Sequence, residues 1–129
     1  MRERLSQTSA TFSFPDPGEL DKRVELCQRI DVPASDFGVE PEYHNVRKVW
    51  AKVRQVGAGT YQSSVQSGDI ITHYITIRYR PGITSDFEIV MSGQVYRIKR
   101  SRDLNSARRF LLMECEELGA VQRGGPSYG

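Results

Sequence analysis

The residues of this chain whose types could do chemistry are Cys27 and Cys115, His44 and His73, and the carboxylates Glu114, Glu116 and Glu117. Their spacing decides how much chemistry they can do. A structural zinc site takes about four Cys or His ligands at short, recognisable intervals. The cysteines stand far apart without a CxxC partner, and the histidines join them at no such interval. They read as small core thiols and point to a reducing compartment. His73 could act as a base, but it alternates with Ile75 and Ile77. That places it on an inward or interface face of a strand, with no triad partner to name. Glu114, Glu116 and Glu117 fit a solvated strand end better than a metal site. Gly57-Ala58-Gly59 lacks the length and the Lys-Ser/Thr pair of a phosphate loop. No catalytic, metal or cofactor-binding residue is assigned, no cofactor is expected, and an enzyme is rejected because a function must be argued from a site.

Two other groups could bind something. Arg97, Lys99, Arg100, Arg102, Arg108 and Arg109 surround a single acid, Asp103, in what reads as a loop between two strands. Such a loop could hold DNA phosphates, contacts that carry affinity and not sequence. It could equally pair with carboxylates of a neighbouring copy. Charge is uneven enough for either. Residues 1–45 hold five basic and nine acidic groups, residues 46–109 twelve and four, residues 110–129 one and three, within a net +2. Asymmetry of this kind speaks of partners, not of fold. The second group lies between Gly57 and Asp69, where Thr60, Tyr61, Gln62, Ser63, Ser64 and Gln66 are neutral and polar with glycines at either end. It is expected to be a loop, and long connections in small domains are functional, disordered or plain surface.

These groups must be positioned by a chain of 129 residues, a length for one domain. Such a domain buries about two thirds of its unfolded surface and needs no metal or disulfide. A hydrophobic content of 38% and a mean hydropathy of −0.50 suit a β-rich domain with long polar loops, or one that completes its burial in an assembly. No apolar run is long enough for a membrane helix. The first residues lack the apolar stretch of a secretory signal, so a cytoplasmic origin is expected.

The dominant period is two. Val24, Leu26 and Ile30 mark a first strand near 22–30; a long loop is expected over 31–45, broken by Pro33, Gly38 and Pro41. Val49, Ala51 and Val53 alternate with Trp50, Lys52 and Arg54 in a second strand. His73, Ile75, Ile77 and Tyr79 share one face of a third, ended by Pro81-Gly82. Ser92-Gly93 as a two-residue turn sets Met91 opposite Gln94, Val90 opposite Val95, Ile89 opposite Tyr96 and Glu88 opposite Arg97. Continued, that register sets Phe87 opposite Ile98 and Asp86 opposite Lys99, collecting apolar side chains on one face and charge pairs on the other.

Residues 103–118 stay ambiguous by pattern. Leu104, Ala107, Leu111, Cys115 and Leu118 make a helical face ending at Gly119. Arginines in its first half and glutamates in its last turns would oppose the helix dipole. The alternative is a strand at 108–115, apolar on both faces.

Three stretches between Val49 and Glu117, about half the chain, carry a resemblance. They are Val49-Trp50-Ala51-Lys52-Val53, the run from Thr72 to Ile83 (THYITIRYRPGI), and Gly93 to Ile98 followed by Phe110-Leu111-Leu112-Met113-Glu114-Cys115. Together they resemble the phage head–tail joining (head-closure) proteins. In that family the last segment is a strand, which settles the ambiguity. The resemblance implies an all-β fold, a small closed or partly open antiparallel β-barrel with long loops and flexible termini. The Ser/Thr-rich start ending in Pro15-Asp16-Pro17-Gly18 and the glycine-rich end read as loose, so a flexible arm at 1–19, the barrel domain at 20–118 and a flexible tail at 119–129 are expected. Trp50, Ile75, Ile77, Phe87, Ile89, Tyr96, Ile98, Phe110 and Leu112 are expected to fill the interior.

The resemblance also implies a structural virion protein. Copies would form a ring at the head–tail neck, beneath the portal or its adaptor, hold packaged double-stranded DNA and receive the tail terminator or tube. Assembly would take place in the host cytoplasm, with no membrane partner. Thr60, Tyr61, Gln62, Ser63, Ser64 and Gln66 would face the channel as a gate. In a ring, which needs heterologous faces, the basic run is better matched to the acidic region of the next copy than to DNA. The alternatives are a tail terminator or other neck ring, or a cellular nucleic-acid-binding barrel of the OB type. The last would want aromatics interleaved with cations on an open face, and only Tyr74, Arg78 and Arg80 qualify.

Overall fold

The computed structural model describes residues 14–120. Its strands are β1 (Lys22–Pro33), β2 (Val39–Gln55), β3 (His73–Arg78), β4 (Phe87–Met91), β5 (Gln94–Asp103) and β6 (Phe110–Ala120), with one helix, α1 (Ala58–Ser67). They close into an antiparallel ring in the order β1-β2-β3-β6-β5-β4, with β4 paired back onto β1. Closure removes the unpaired sheet edges that invite aggregation. The all-β barrel expected from the sequence is the observed architecture.

The period of two explains the interior. Val24, Leu26, Ala51, Ile75, Ile77, Phe87, Ile89, Tyr96, Ile98, Leu111, Met113 and Cys115 form one buried cluster. Ala51 is fully buried, so its neighbour Trp50 must point outward, and it is 53% exposed. Placing Trp50 inside was an error that the alternation of β2 already ruled out. Phe110 and Leu112 are buried too, but on the outer face of β6. There Leu20, Leu104 and Phe14 cover them, with the Phe14 and Phe110 rings 5.6 Å apart. β6 is therefore apolar on both faces because both are packed, the feature that made it resemble a helix. Of the N-terminal arm, residues 14–19 are described and include the buried Pro15 and a 3-10 turn at Pro17–Glu19. The expected tail starts two residues too early, because Gly119 and Ala120 still pair with β5 in β6; the remainder of the arm, and residues 121–129, lie outside the described residues.

Two expected loops are regular structure. Residues 31–45 belong to a long β1–β2 hairpin whose register runs to Pro33↔Val39. Pro33 ends β1, Pro41 faces Asp31 of β1 on one side and no strand on the other, and Gly38 helps close the tip, where the Ala34 amide donates to the Gly38 carbonyl at 2.9 Å. A proline can sit on an edge strand because no ladder partner needs its missing N–H. A bulge between Leu26 and Gln28, with Asn45 at φ 55°, marks where the hairpin leaves the barrel. The β4 register against β1 stops at Gln28, and only the Arg29 amide, bonded to the Asp86 carbonyl, continues it. Residues 57–69, expected to be a loop, hold α1. Its apolar content is too low for a hydrophobic period to reveal a helix. It is fixed instead by hydrogen bonds and by Gly68, which caps its C-terminus at φ 88°.

The β4–β5 hairpin has the register derived from the sequence for Met91↔Gln94, Val90↔Val95, Ile89↔Tyr96 and Glu88↔Arg97. Ser92 and Gly93 both take positive φ, 52° and 79°, the twist that two-residue hairpins require.

Candidate functional site

Four of the six basic residues are on a strand and two remain in a loop. Arg97, Lys99, Arg100 and Arg102 lie within β5, and Arg108 and Arg109 on the turn before β6. β5 continues this far because β6 offers it matching carboxylates. Glu114 is 5% exposed, yet it accepts from Arg100 at 3.0 and 2.6 Å and from Arg102 at 2.5 Å. Lys99 lies 3.4 Å from Glu116. A carboxylate this buried is tolerable only when paired and hydrogen-bonded. Bonding to Glu114 also holds the Arg100 guanidinium above its usual pKa. The expectation that Glu114 belongs to a solvated strand end fails here: it clamps two strands.

Arg108 and Arg109 stand apart from that clamp. The Arg108 amide donates to Asp103 at 2.8 Å, and the Arg109 guanidinium lies 4.9 Å over the Phe14 ring. Lys99, Arg100 and Arg102 are thus compensated within the strand pair, whereas Arg108 and Arg109 stand on an exposed turn.

α1 places its residues beside the clamp. Ser64 is buried; its hydroxyl donates to the Tyr61 carbonyl at 2.7 Å and accepts the Ile71 amide at 3.0 Å, tying the helix to the segment that enters β3. Ser67 donates to the Ser64 carbonyl at 3.0 Å. Thr60, Tyr61, Gln62, Ser63 and Gln66 remain exposed. Thr60, Ser63 and Ser64 share with Tyr74, Arg100 and Glu114 the lining of one shallow depression of about 460 Å³. The two candidate groups, well separated in sequence, therefore meet at one place on the surface through Arg100.

His73 is half-buried, with its ring 5.0 Å from Tyr96 and its Nδ1 2.8 Å from the Thr72 hydroxyl. Cys115 is buried, and burial pushes its thiol far above the usual range, so it is inert as a nucleophile.

Sequence reasoning missed two surface features. One is an open groove of about 440 Å³ on β2 and β3, with Trp50 and Tyr79 in its wall and Arg23, Lys48, Arg78 and Arg80 around it. The Arg23 guanidinium lies 5.0 Å over the Trp50 ring. The signal was the outward phase of Trp50 among Arg23, Lys48 and Arg78. The other is the projecting end of the β1–β2 hairpin, with Phe37 at its tip fully exposed.

Comparison with known proteins extends this geometry. The solution structure of a protein from Shigella flexneri 2a superposes with a TM-score of 0.58 at 24% identity, covering 80% of this chain and 96% of its own. A chain in the virion of a native gene transfer agent particle superposes with a TM-score of 0.50 at 15% identity, covering 78% of this chain and 96% of its own. At these identities the likeness establishes the fold. Among curated proteins no sequence matches. Residues 15–118, all six strands and α1 almost in full, match the model of the phage head completion proteins. The chain belongs to the phage head completion protein family.

Proposed function

We propose that this structural head-completion protein assembles into a connector ring between the portal or its adaptor and the tail. There it retains the packaged double-stranded DNA and offers the tail its docking surface. Family membership gives the head-completion role. The observation that carries the ring is the division of the molecule into a closed barrel and two elements that project from it. The barrel satisfies its own core, whereas the β1–β2 hairpin end and α1 expose Phe37, Val39, Tyr61 and Val65. Surfaces of this kind serve partners and not the fold. In this reading α1 faces the channel. Its exposed Thr60, Gln62, Ser63 and Gln66 carry no charge, so they meet a DNA end without binding it electrostatically, as a reversible gate requires. Assembly takes place in the host cytoplasm, and the tail terminator or tube protein follows.

The test uses filled, tail-less capsids completed with this protein or left without it. DNA in completed capsids should resist added nuclease, and capsids lacking the protein should lose it. Equal protection in both would refute retention by this chain.

A further inference from the structure

The hairpin end and the Trp50 groove are complementary. Beyond Gln28 the hairpin pairs almost only with itself, and a free two-stranded ribbon is marginal in water. Its tip nevertheless presents Phe37 between two carboxylates, Asp36 and Glu40. The other acids of the ribbon are engaged: Asp31 with Arg29 at 3.1 Å, and Glu42 with His44 at 3.0 Å. Asp36 accepts the Gly38 amide of its own turn at 3.2 Å, but neither it nor Glu40 forms an ion pair among the described residues. The groove carries the opposite pattern. Trp50 and Tyr79 line it, four cations surround it, and no carboxylate among the described residues lines it.

A chain cannot make this match with itself. Arg23 lies at the groove near the start of β1, and the tip begins at Ala34 beyond its far end, eleven residues on. At about 3.3 Å per residue the two are roughly 35 Å apart. A surface and its complement at opposite ends of one molecule define a heterologous contact, which closes a ring when the rotation per copy allows. A nucleic acid is the less suited occupant, because Trp50 is a single exposed aromatic already covered by Arg23, not a row of stacking faces.

We infer that the β1–β2 hairpin tip of one copy inserts Phe37 into the Trp50 groove of the next copy, with Asp36 and Glu40 meeting the arginines and lysine around it. The inference rests on the ring reading above and names the contact that builds the ring. The acidic tip is the part of the acidic N-terminal region that reaches a neighbour. Its basic target is the β2–β3 groove, because Arg100 and Arg102 are already held by Glu114.

The full chain with both Phe37→Cys and Lys48→Cys, assembled into capsids and oxidised, tests it. The native cysteines are buried and do not compete. A ladder of disulfide-linked multimers is expected, absent from either single variant, and reversal of Asp36 and Glu40 to Lys should reduce the ladder several-fold. Parallel capsids carrying the natural chain are treated with a lysine-reactive cross-linker. Multimers there without a disulfide ladder would leave the ring standing and overturn the contact. No multimers in either arm would overturn the ring as well. Dimers from Phe37→Cys alone would replace the inference with a tip-to-tip contact. A disulfide from the Phe37→Cys thiol to a different virion protein would also overturn it, as would saturable oligonucleotide binding lost on Trp50→Ala.

Discussion

Glu88 is 4% exposed on β4, and its nearest cation is Arg29 of β1, whose Nη1 lies 3.6 Å from Oε2. Arg97 is its cross-strand partner in the backbone register, but the carboxylate turns to the other neighbour. Replacing Glu88 with Gln should therefore cost about 1–3 kcal/mol, less than breaking a fully buried pair because Arg29 is one third exposed. Arg97→Gln should change stability by less than about 0.5 kcal/mol. Urea titrations of both variants measure the difference, and equal losses would return the pair to Arg97. A second contrast follows from strand phase. Ile77 is 1% exposed in the main cluster, so Ile77→Ala should cost about 2–5 kcal/mol. Trp50→Ala removes a larger side chain from the surface and should cost about 1 kcal/mol or less. A larger loss for Trp50 would contradict its outward placement.

At the scale of elements, what the sequence disclosed depended on which force holds each one. The β4–β5 register was legible because apolar and charged residues alternate across a turn that only one pairing satisfies. β6 was legible only through the family resemblance, since a strand packed on both faces loses the alternation that identifies strands. α1 was invisible for a different reason. It is held by the hydroxyl of Ser64 and the left-handed Gly68, and a hydrophobic pattern registers neither. The outer hairpin hid behind Pro33 and Pro41, which forbid central strands but not a two-stranded ribbon with free outer edges. The charge clamp shows the same limit: the six cations were visible as a run, but the pairing of Arg100 and Arg102 with Glu114 depends on β5–β6 register. Because the hairpin end pairs chiefly with itself, replacing residues 31–41 by a short Gly-containing turn should leave the barrel folded. Its denaturation midpoint should fall by no more than a mutation of about 1 kcal/mol would produce, as thermal unfolding followed by circular dichroism would check. A collapse of the fold would mean that the ribbon belongs to the core.

The whole molecule is a barrel that satisfies its own interior while displaying a hairpin, a polar helix and a cationic groove on its surface. In the proposed ring, the acidic tip and the basic groove are what would join successive copies, and the uncharged face of α1 is what would meet the DNA. A connector role depends on where the protein sits. Reconstruction of the neck of intact particles, with antibody labelling of this chain, tests that most directly. A closed ring of these barrels between portal or adaptor and tail is expected, with label at the capsid–tail junction. Label elsewhere on the particle, or none on it, would contradict it.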